Sequence, residues 1–218
     1  MHCFITGTST DVGKTYVTRL MLEALVSAGH RAIAYKPICC GSRDDATSLL
    51  SAGTPGPTLE EINPLYLQAA TAPHVAAQLE NKIVEIEPLV DSFRQLAARY
   101  DHILVEGAGG WEVPIAPGQS VADLAVALGL PVLVVVDNRL GALNHTILTV
   151  NAIRARGLTC VGMILNHLND ARDTASITNR ATLEDWLGIP VLQDILHEET
   201  STDVDWILEM FQASNIPS

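Results

Sequence analysis

Residues 7–15 read Gly-Thr-Ser-Thr-Asp-Val-Gly-Lys-Thr, directly after an apolar run at 2–6 and directly before an amphipathic stretch at 14–28. A glycine-bearing loop between a strand and a helix aims backbone N–H groups and the helix dipole at one point. Such a point binds phosphate. The Gly13-Lys14-Thr15 end carries most of this chemistry. Lys14 reaches terminal phosphates, Thr15 offers its hydroxyl to Mg2+, and Val12 and Tyr16 flank them in the same nucleotide-binding stretch. The strict phosphate-loop spacing asks for a first Gly where Thr8 stands, and Gly7 lies one position early. A nucleoside-triphosphate-dependent enzyme or switch is the first expectation.

The rest of the chain supplies a frame for that loop. Apolar runs at 31–36, 101–106, 131–136, 159–165 and 190–195 alternate with helical patterns at 73–79, 86–98, 143–155, 174–187 and 204–212. Pro73 sits in a favoured first turn, and Ser120 caps a helix that follows the glycine-rich loop 107–119. A short helix falls near 45–50. The Pro- and Gly-rich stretch 54–67 reads as irregular chain over the surface. Alternating strands and helices, with several strands continuously apolar, predict an α/β fold. It is a three-layer, mostly parallel sheet with helices on both faces, of the P-loop nucleoside triphosphate hydrolase type. No linker or repeat is visible, so residues 1–218 read as a single domain.

Charge narrows the partners. Thirteen Lys and Arg stand against 25 Asp and Glu, a formal net charge of −12. Nucleic-acid binding rests on phosphate neutralisation, so no nucleic acid is expected. The apolar stretch 121–136 is broken by Asp123, Gly129 and Pro131, so no membrane partner is expected either. The absence of a basic leader points to a cytoplasmic protein. Cys3, Cys39, Cys40 and Cys160 have the spacing of neither a zinc site nor a disulfide framework.

In open α/β sheets ligands bind at the carboxyl ends of strands. That rule selects 6–7, 36–37, 106–107, 137–138 and 166–167 as ends that converge on the loop. Glu106 closes a four-residue apolar strand and is a candidate Mg2+ ligand near Thr15, because the ion takes hard oxygen donors. Asp45 is a second candidate ligand, with helix capping as its other role. Lys36 can neutralise a γ-phosphate or a developing phosphoryl charge. Asp11 contacts a second substrate or caps the helix. His74 and His145 lack metal-triad spacing; His145, beside Asn144, lines a pocket or packs, with packing the favoured role.

These residues together resemble a known family. TGTSTDVGKT at 6–15, YKPICCGS at 35–42, APH at 72–74, VEGAGGW at 105–111 and LGALNH at 140–145 are similar to the motifs of dethiobiotin synthetases. The resemblance runs from the first strand to about Asn166. It implies ATP-dependent carboxylation and ring closure of 7,8-diaminopelargonate with CO2, giving dethiobiotin, ADP and phosphate through a phosphorylated carbamate. It implies catalytic roles for Lys14 and Lys36, with Thr10 and Asp11 beside the substrate amines. Thr15, Asp45 and Glu106 would hold Mg2+, and Asn166 would read the base. A homodimer follows, with residues 140–144 near the partner's substrate. Two departures stand out. Cys40 occupies a phosphate-contact position where the family commonly has serine, and with Cys39 suggests an oxidation-sensitive site. Residues 191–196 lack the family's Gly and Pro pattern, which leaves the choice of nucleotide open.

Two other classes remain. One is a corrinoid-type amide ligase, which would usually carry a further glutaminase domain. The other is a nucleotide-driven partition or positioning switch, which would carry lysine where Ser9 stands.

Overall fold

The protein is described by a computed structural model covering residues 1–213. From the first strand the chain runs β1 (His2–Gly7), α1 (Lys14–Ser27), β2 (Ala32–Tyr35), β3 (Ile38–Cys40), α2 (Asp44–Ala52), α3 (Leu59–Ile62), β4 (Leu65–Leu67), α4 (Pro73–Leu79) and α5 (Ile86–Ala97). It continues through β5 (His102–Gly110), β6 (Pro114–Ala116), β7 (Gln119–Ser120), α6 (Val121–Leu128), β8 (Val132–Asp137), α7 (Ala142–Ala155), β9 (Cys160–Asn166), α8 (Thr174–Leu187), β10 (Val191–Ile195) and α9 (Asp205–Ala213).

Six strands pair in parallel in the order β10-β9-β8-β1-β5-β2. Side chains alternate across each strand, so a strand covered on both faces must be apolar at every position. Phe4 and Val134 enter one core cluster with Phe93 of α5, Leu124 of α6, Ile153 of α7 and Leu183 of α8. Their chain neighbours Ile5 and Val135 enter the other, with Val17 of α1 and Ile207 of α9. The sheet with helices on both faces is therefore as expected. From β1 the chain moves outward to β2 and returns through β5, then crosses to β8 on the other side. The resulting crevice lies at the carboxyl end of β1, where the loop 8–13 sits.

Two stretches differ from expectation. Residues 54–67 are not irregular chain over the surface. Thr58 and Glu61 form a reciprocal capping box that starts α3, and Ile62, Asn63 and Leu67 are buried. β4 pairs in parallel with β3, Ile38 opposite Leu65, a non-local partner that composition cannot reveal. Within the expected loop 107–119, β5 instead runs on to Gly110 through a register shift against β1, and β6 and β7 form a small antiparallel pair. Ser120 does precede α6, where the Asp123 carboxylate accepts its backbone N–H at 2.7 Å.

Candidate active site

The loop after β1 is shaped by two close approaches. A side chain at Gly7 would meet Val12 Cγ2 at 2.6 Å. Gly13 has φ +87°, and a Cβ there would lie 2.1 Å from Asn166 Nδ2. Only glycine combines that left-handed backbone with that contact. Asn166 ends β9, is fully buried, and donates from Nδ2 to the Val12 carbonyl at 2.9 Å. It braces the loop from below, and its Oδ1 has no partner among the described residues.

Lys14 opens α1 and is 7% exposed, with Nζ 3.3 Å from the Ser9 carbonyl oxygen. Burial, and then the nearby Lys36 ammonium, push its pKa down to about 8. Thr15 donates its hydroxyl to Glu106 Oε1 at 2.7 Å. Lys36 lies one residue beyond β2 and contacts the same oxygen at 2.5 Å. It also reaches Asp45 Oδ2 at 3.3 Å and the Gly107 carbonyl oxygen at 3.4 Å. Burial pushes the Lys36 ammonium down, but Glu106 and Asp45 outweigh it and hold its pKa above the usual lysine value. Lys36 therefore stays charged, while Lys14 gives up its proton more readily, above a pH of about 8.

Thr15, Lys36, Asp45 and Glu106 thus form one cluster, joined from four elements or their ends. Glu106 Oε2 is buried and has no hydrogen-bond partner among the described residues. A buried carboxylate oxygen left open, beside a threonine hydroxyl and a half-exposed aspartate, fits a hard cation. Among the described residues no group of three or more His, Cys, Asp or Glu could by itself hold a metal. Mg2+ commonly uses one or two carboxylates and completes its shell with water and substrate phosphates, so this donor set fits it.

Beside the cluster lies a cavity of about 450 Å3 lined by Thr10, Asp11, Lys36, Cys40, Asp45, Thr71 and Gly109, among others. Thr10 and Asp11 are exposed on its rim, with Asp11 at φ +59°. Cys40 is half-buried in its wall, and burial pushes its thiol up to about 11. Burial raises the Cys39 thiol as well. Both shifts disfavour the thiolate, the form that oxidises most readily, and so weigh against the expected oxidation sensitivity.

Other candidates lie elsewhere. The Tyr16 side chain points to the late loop and donates to the Glu199 carbonyl. His145 is exposed on α7 rather than buried in a packing role, and His74 lines a separate shallow cavity with Arg156. Leu140, 76% exposed, precedes α7 at the segment expected near a partner. Sequence reasoning missed Asn63, which is 1% exposed and hydrogen-bonds the Lys36 backbone. The capping box just before it was the available signal. The strand-end rule did select Asn138 and His167, which meet at 3.2 Å, but it missed buried Asn179 of α8, which donates to Asn138 Oδ1 at 2.8 Å and had no local signal.

No helix among the described residues is long and apolar enough to cross a membrane. A family model described as an AAA domain matches residues 2–204. The fold is similar to the septum site-determining protein MinD of Pyrococcus horikoshii, solved with Mg-ADP, at 18% identity and TM-score 0.59 over 100% of this chain and 87% of that one. A plasmid partition protein of Borrelia burgdorferi gives 16% identity and TM-score 0.59 over 98% and 100%. These likenesses establish a shared fold. Sequence relatives go further. An ATP-dependent dethiobiotin synthetase of Akkermansia muciniphila is 46% identical over 94% of this chain and 96% of its own length. One from Ralstonia nicotianae is 40% identical over 88% and 87%. Identity at this level over nearly the whole length of both chains means that the chain belongs to the dethiobiotin synthetase family.

Proposed function

We propose that the protein is an ATP-dependent cyclo-ligase, folded as one synthetase domain, that converts 7,8-diaminopelargonate, CO2 and ATP into dethiobiotin, ADP and phosphate. The observation that carries this reading is Lys36, held between Glu106 and Asp45 where the phosphate-loop cluster meets the cavity.

One amine of the substrate adds to CO2, losing a proton and becoming a carbamate. A carbamate oxygen attacks the γ-phosphorus, and the bond to ADP breaks. The second amine then attacks the carbonyl carbon of the mixed anhydride. Phosphate leaves, a proton is lost, and a cyclic urea closes. Each of the last two steps needs two anions or a tetrahedral oxyanion held together, so fixed positive charge and correct placement do most of the work. Lys14 and Lys36 supply that charge. Thr10 and Asp11, on the cavity rim, orient the amines. Thr15, Asp45 and Glu106 would hold Mg2+, which when bound neutralises the β- and γ-phosphates. Val12, Gly13 and Tyr16 belong to the nucleotide-binding stretch, Asn166 supports it, and Cys40 takes the position of a phosphate-side hydroxyl. The protein acts as a homodimer in this reading, with Leu140 and Asn144 facing the partner.

Product formation from 7,8-diaminopelargonate, bicarbonate and Mg2+, with ATP, GTP and CTP in parallel, tests it. Dethiobiotin in step with phosphate release, both lost in Lys14→Ala, is the expected outcome. Phosphate release without dethiobiotin from folded protein would overturn the reading in favour of another ligase or a switch.

A further inference from the structure

Asn63 lies between α3 and β4, 27 residues from Lys36 in the chain, and is 1% exposed. Its side-chain Nδ2 donates to the Lys36 carbonyl at 2.7 Å and lies 3.4 Å from the Leu65 carbonyl oxygen. On the other side of the amide, Arg43 Nε donates to Asn63 Oδ1 at 2.9 Å. Arg43 Nη2 also donates to the carbonyls of Asn63 at 3.0 Å and Leu59 at 3.3 Å. Arginine can only donate and a backbone carbonyl can only accept, so one orientation of the amide alone satisfies both neighbours. Backbone bonds complete the clamp. Lys36 N–H donates to the Ile62 carbonyl at 2.8 Å, and Leu65 N–H donates to the Pro37 carbonyl at 3.2 Å. Arg43 immediately precedes α2, which carries Asp45 in its first turn.

The segment so clamped is unusual in its need. Lys36 is the first residue past the end of β2, so the main sheet no longer fixes its backbone. Proline follows it and offers no N–H to tie it down. Yet its ammonium must reach Glu106 and Asp45 together.

We propose that Asn63 is a positioning residue for the reaction. Its amide, oriented by Arg43, fixes the Lys36 backbone so that the ammonium sits between Glu106 and Asp45 at the cavity. This rests on the proposed ligase chemistry of the same site. Aspartate at 63 would keep the partner of Arg43 but face the Lys36 carbonyl with a carboxylate, whereas a purely structural role for the Arg43 contact would tolerate it.

The test is a double-mutant cycle on dethiobiotin formation, using Asn63→Asp, Lys36→Ala and the double variant, with Arg43→Met as a separate variant should Asn63→Asp fold poorly. Residues acting through one another are non-additive. Asn63→Asp should lower kcat at least tenfold, with KM for ATP within twofold of wild type. In the Lys36→Ala background the same change should alter the remaining rate less than twofold. Arg43→Met should lower kcat in the same pattern by a smaller factor. Full kcat in folded Asn63→Asp, or equal fold losses in both backgrounds, would overturn the proposal. A wild type that makes no dethiobiotin would instead defeat the ligase reading, so the two failures are distinguishable.

Discussion

Lys36 Nζ lies 2.5 Å from Glu106 Oε1, an ion pair whose carboxylate is fully buried and whose lysine side chain is 5% exposed. The pair joins the end of β2 to the middle of the neighbouring strand β5, and Lys36 lines the cavity beside it. A buried pair contributes little net stability compared with apolar residues of the same volume, so stability alone does not account for charges placed here.

Breaking that pair on one side should expose the difference. Glu106→Gln leaves a buried ammonium with only half-exposed Asp45 opposite, which costs about 3 kcal/mol and lowers Tm by roughly 6–12 °C for a chain of this size. The double variant Lys36→Met/Glu106→Met should recover most of that stability and none of the activity. Thermal denaturation beside a product assay checks both. A double variant as unstable as Glu106→Gln would mean the pair is structural.

Lys14 gives a pH dependence with a definite sign. Its pKa of about 8 in the free protein arises from burial and then from Lys36. Nucleotide phosphates favour the charged form, so binding takes up a proton once the pH exceeds about 8. ATP affinity should be level below that pH and then weaken up to tenfold per unit above it. Calorimetric titrations at pH 7 and 9, in buffers of different ionisation enthalpy, would reveal the uptake. Equal affinity and no proton uptake at pH 9 would contradict it.

Asn166 should matter to the phosphate loop through the Val12 carbonyl. Asn166→Ala leaves that buried acceptor without its donor, a loss of about 1–3 kcal/mol. Roughly tenfold weaker nucleotide binding is expected, a loss of about 1.4 kcal/mol. Asn166→Asp should be worse, because a carboxylate would face the carbonyl. Fluorescent nucleotide titration separates the three proteins, and unaltered affinity in both variants would exclude the brace.

Acid should weaken the fold at the amino ends of β1 and β5. Burial lowers the pKa of His2 and of His102 from 6.5 to about 4. His2 packs edge-on against Phe93, and His102 lies between His30 and Phe211. Above pH 6.5 both rings are neutral whether folded or unfolded, and they add no pH dependence. Between 6.5 and about 4 the unfolded chain takes up protons that the folded chain refuses, so stability falls. Urea midpoints from pH 7 to 4.5 should drop steadily, and His102→Phe should flatten the slope. An unchanged slope in His102→Phe would assign the acid lability elsewhere.

The strands and helices that build the main sheet were legible because each announces itself within a few residues. Continuous apolar runs such as Val132–Val136 mean burial on both faces, and Gly13-Lys14-Thr15 marks a strand-to-helix turn. The misreadings fall where pairing is non-local. Composition at 54–67 suggests loose chain, because nothing near it in sequence says that Leu65 will lie beside Ile38. Asn63 had only the capping box before it as a local signal, because its partners Lys36 and Arg43 lie 27 and 20 residues away. The directions of the Tyr16 and His145 side chains were illegible in a simpler way. Helical phase set one toward residue 199 and the other to solvent, and neither direction is encoded in a motif.

By itself the sequence determined the phosphate loop, the layered sheet and the family, because these depend on short patterns whose geometry is local. Only the tertiary structure decided which charges act together. Thr15, Lys36, Asp45 and Glu106 meet because β1, β2 and β5 are parallel neighbours whose carboxyl ends open on one crevice. Their separations there, and the burial that lowers Lys14 while leaving Lys36 charged, follow from packing across the sheet, which no run of neighbouring residues contains.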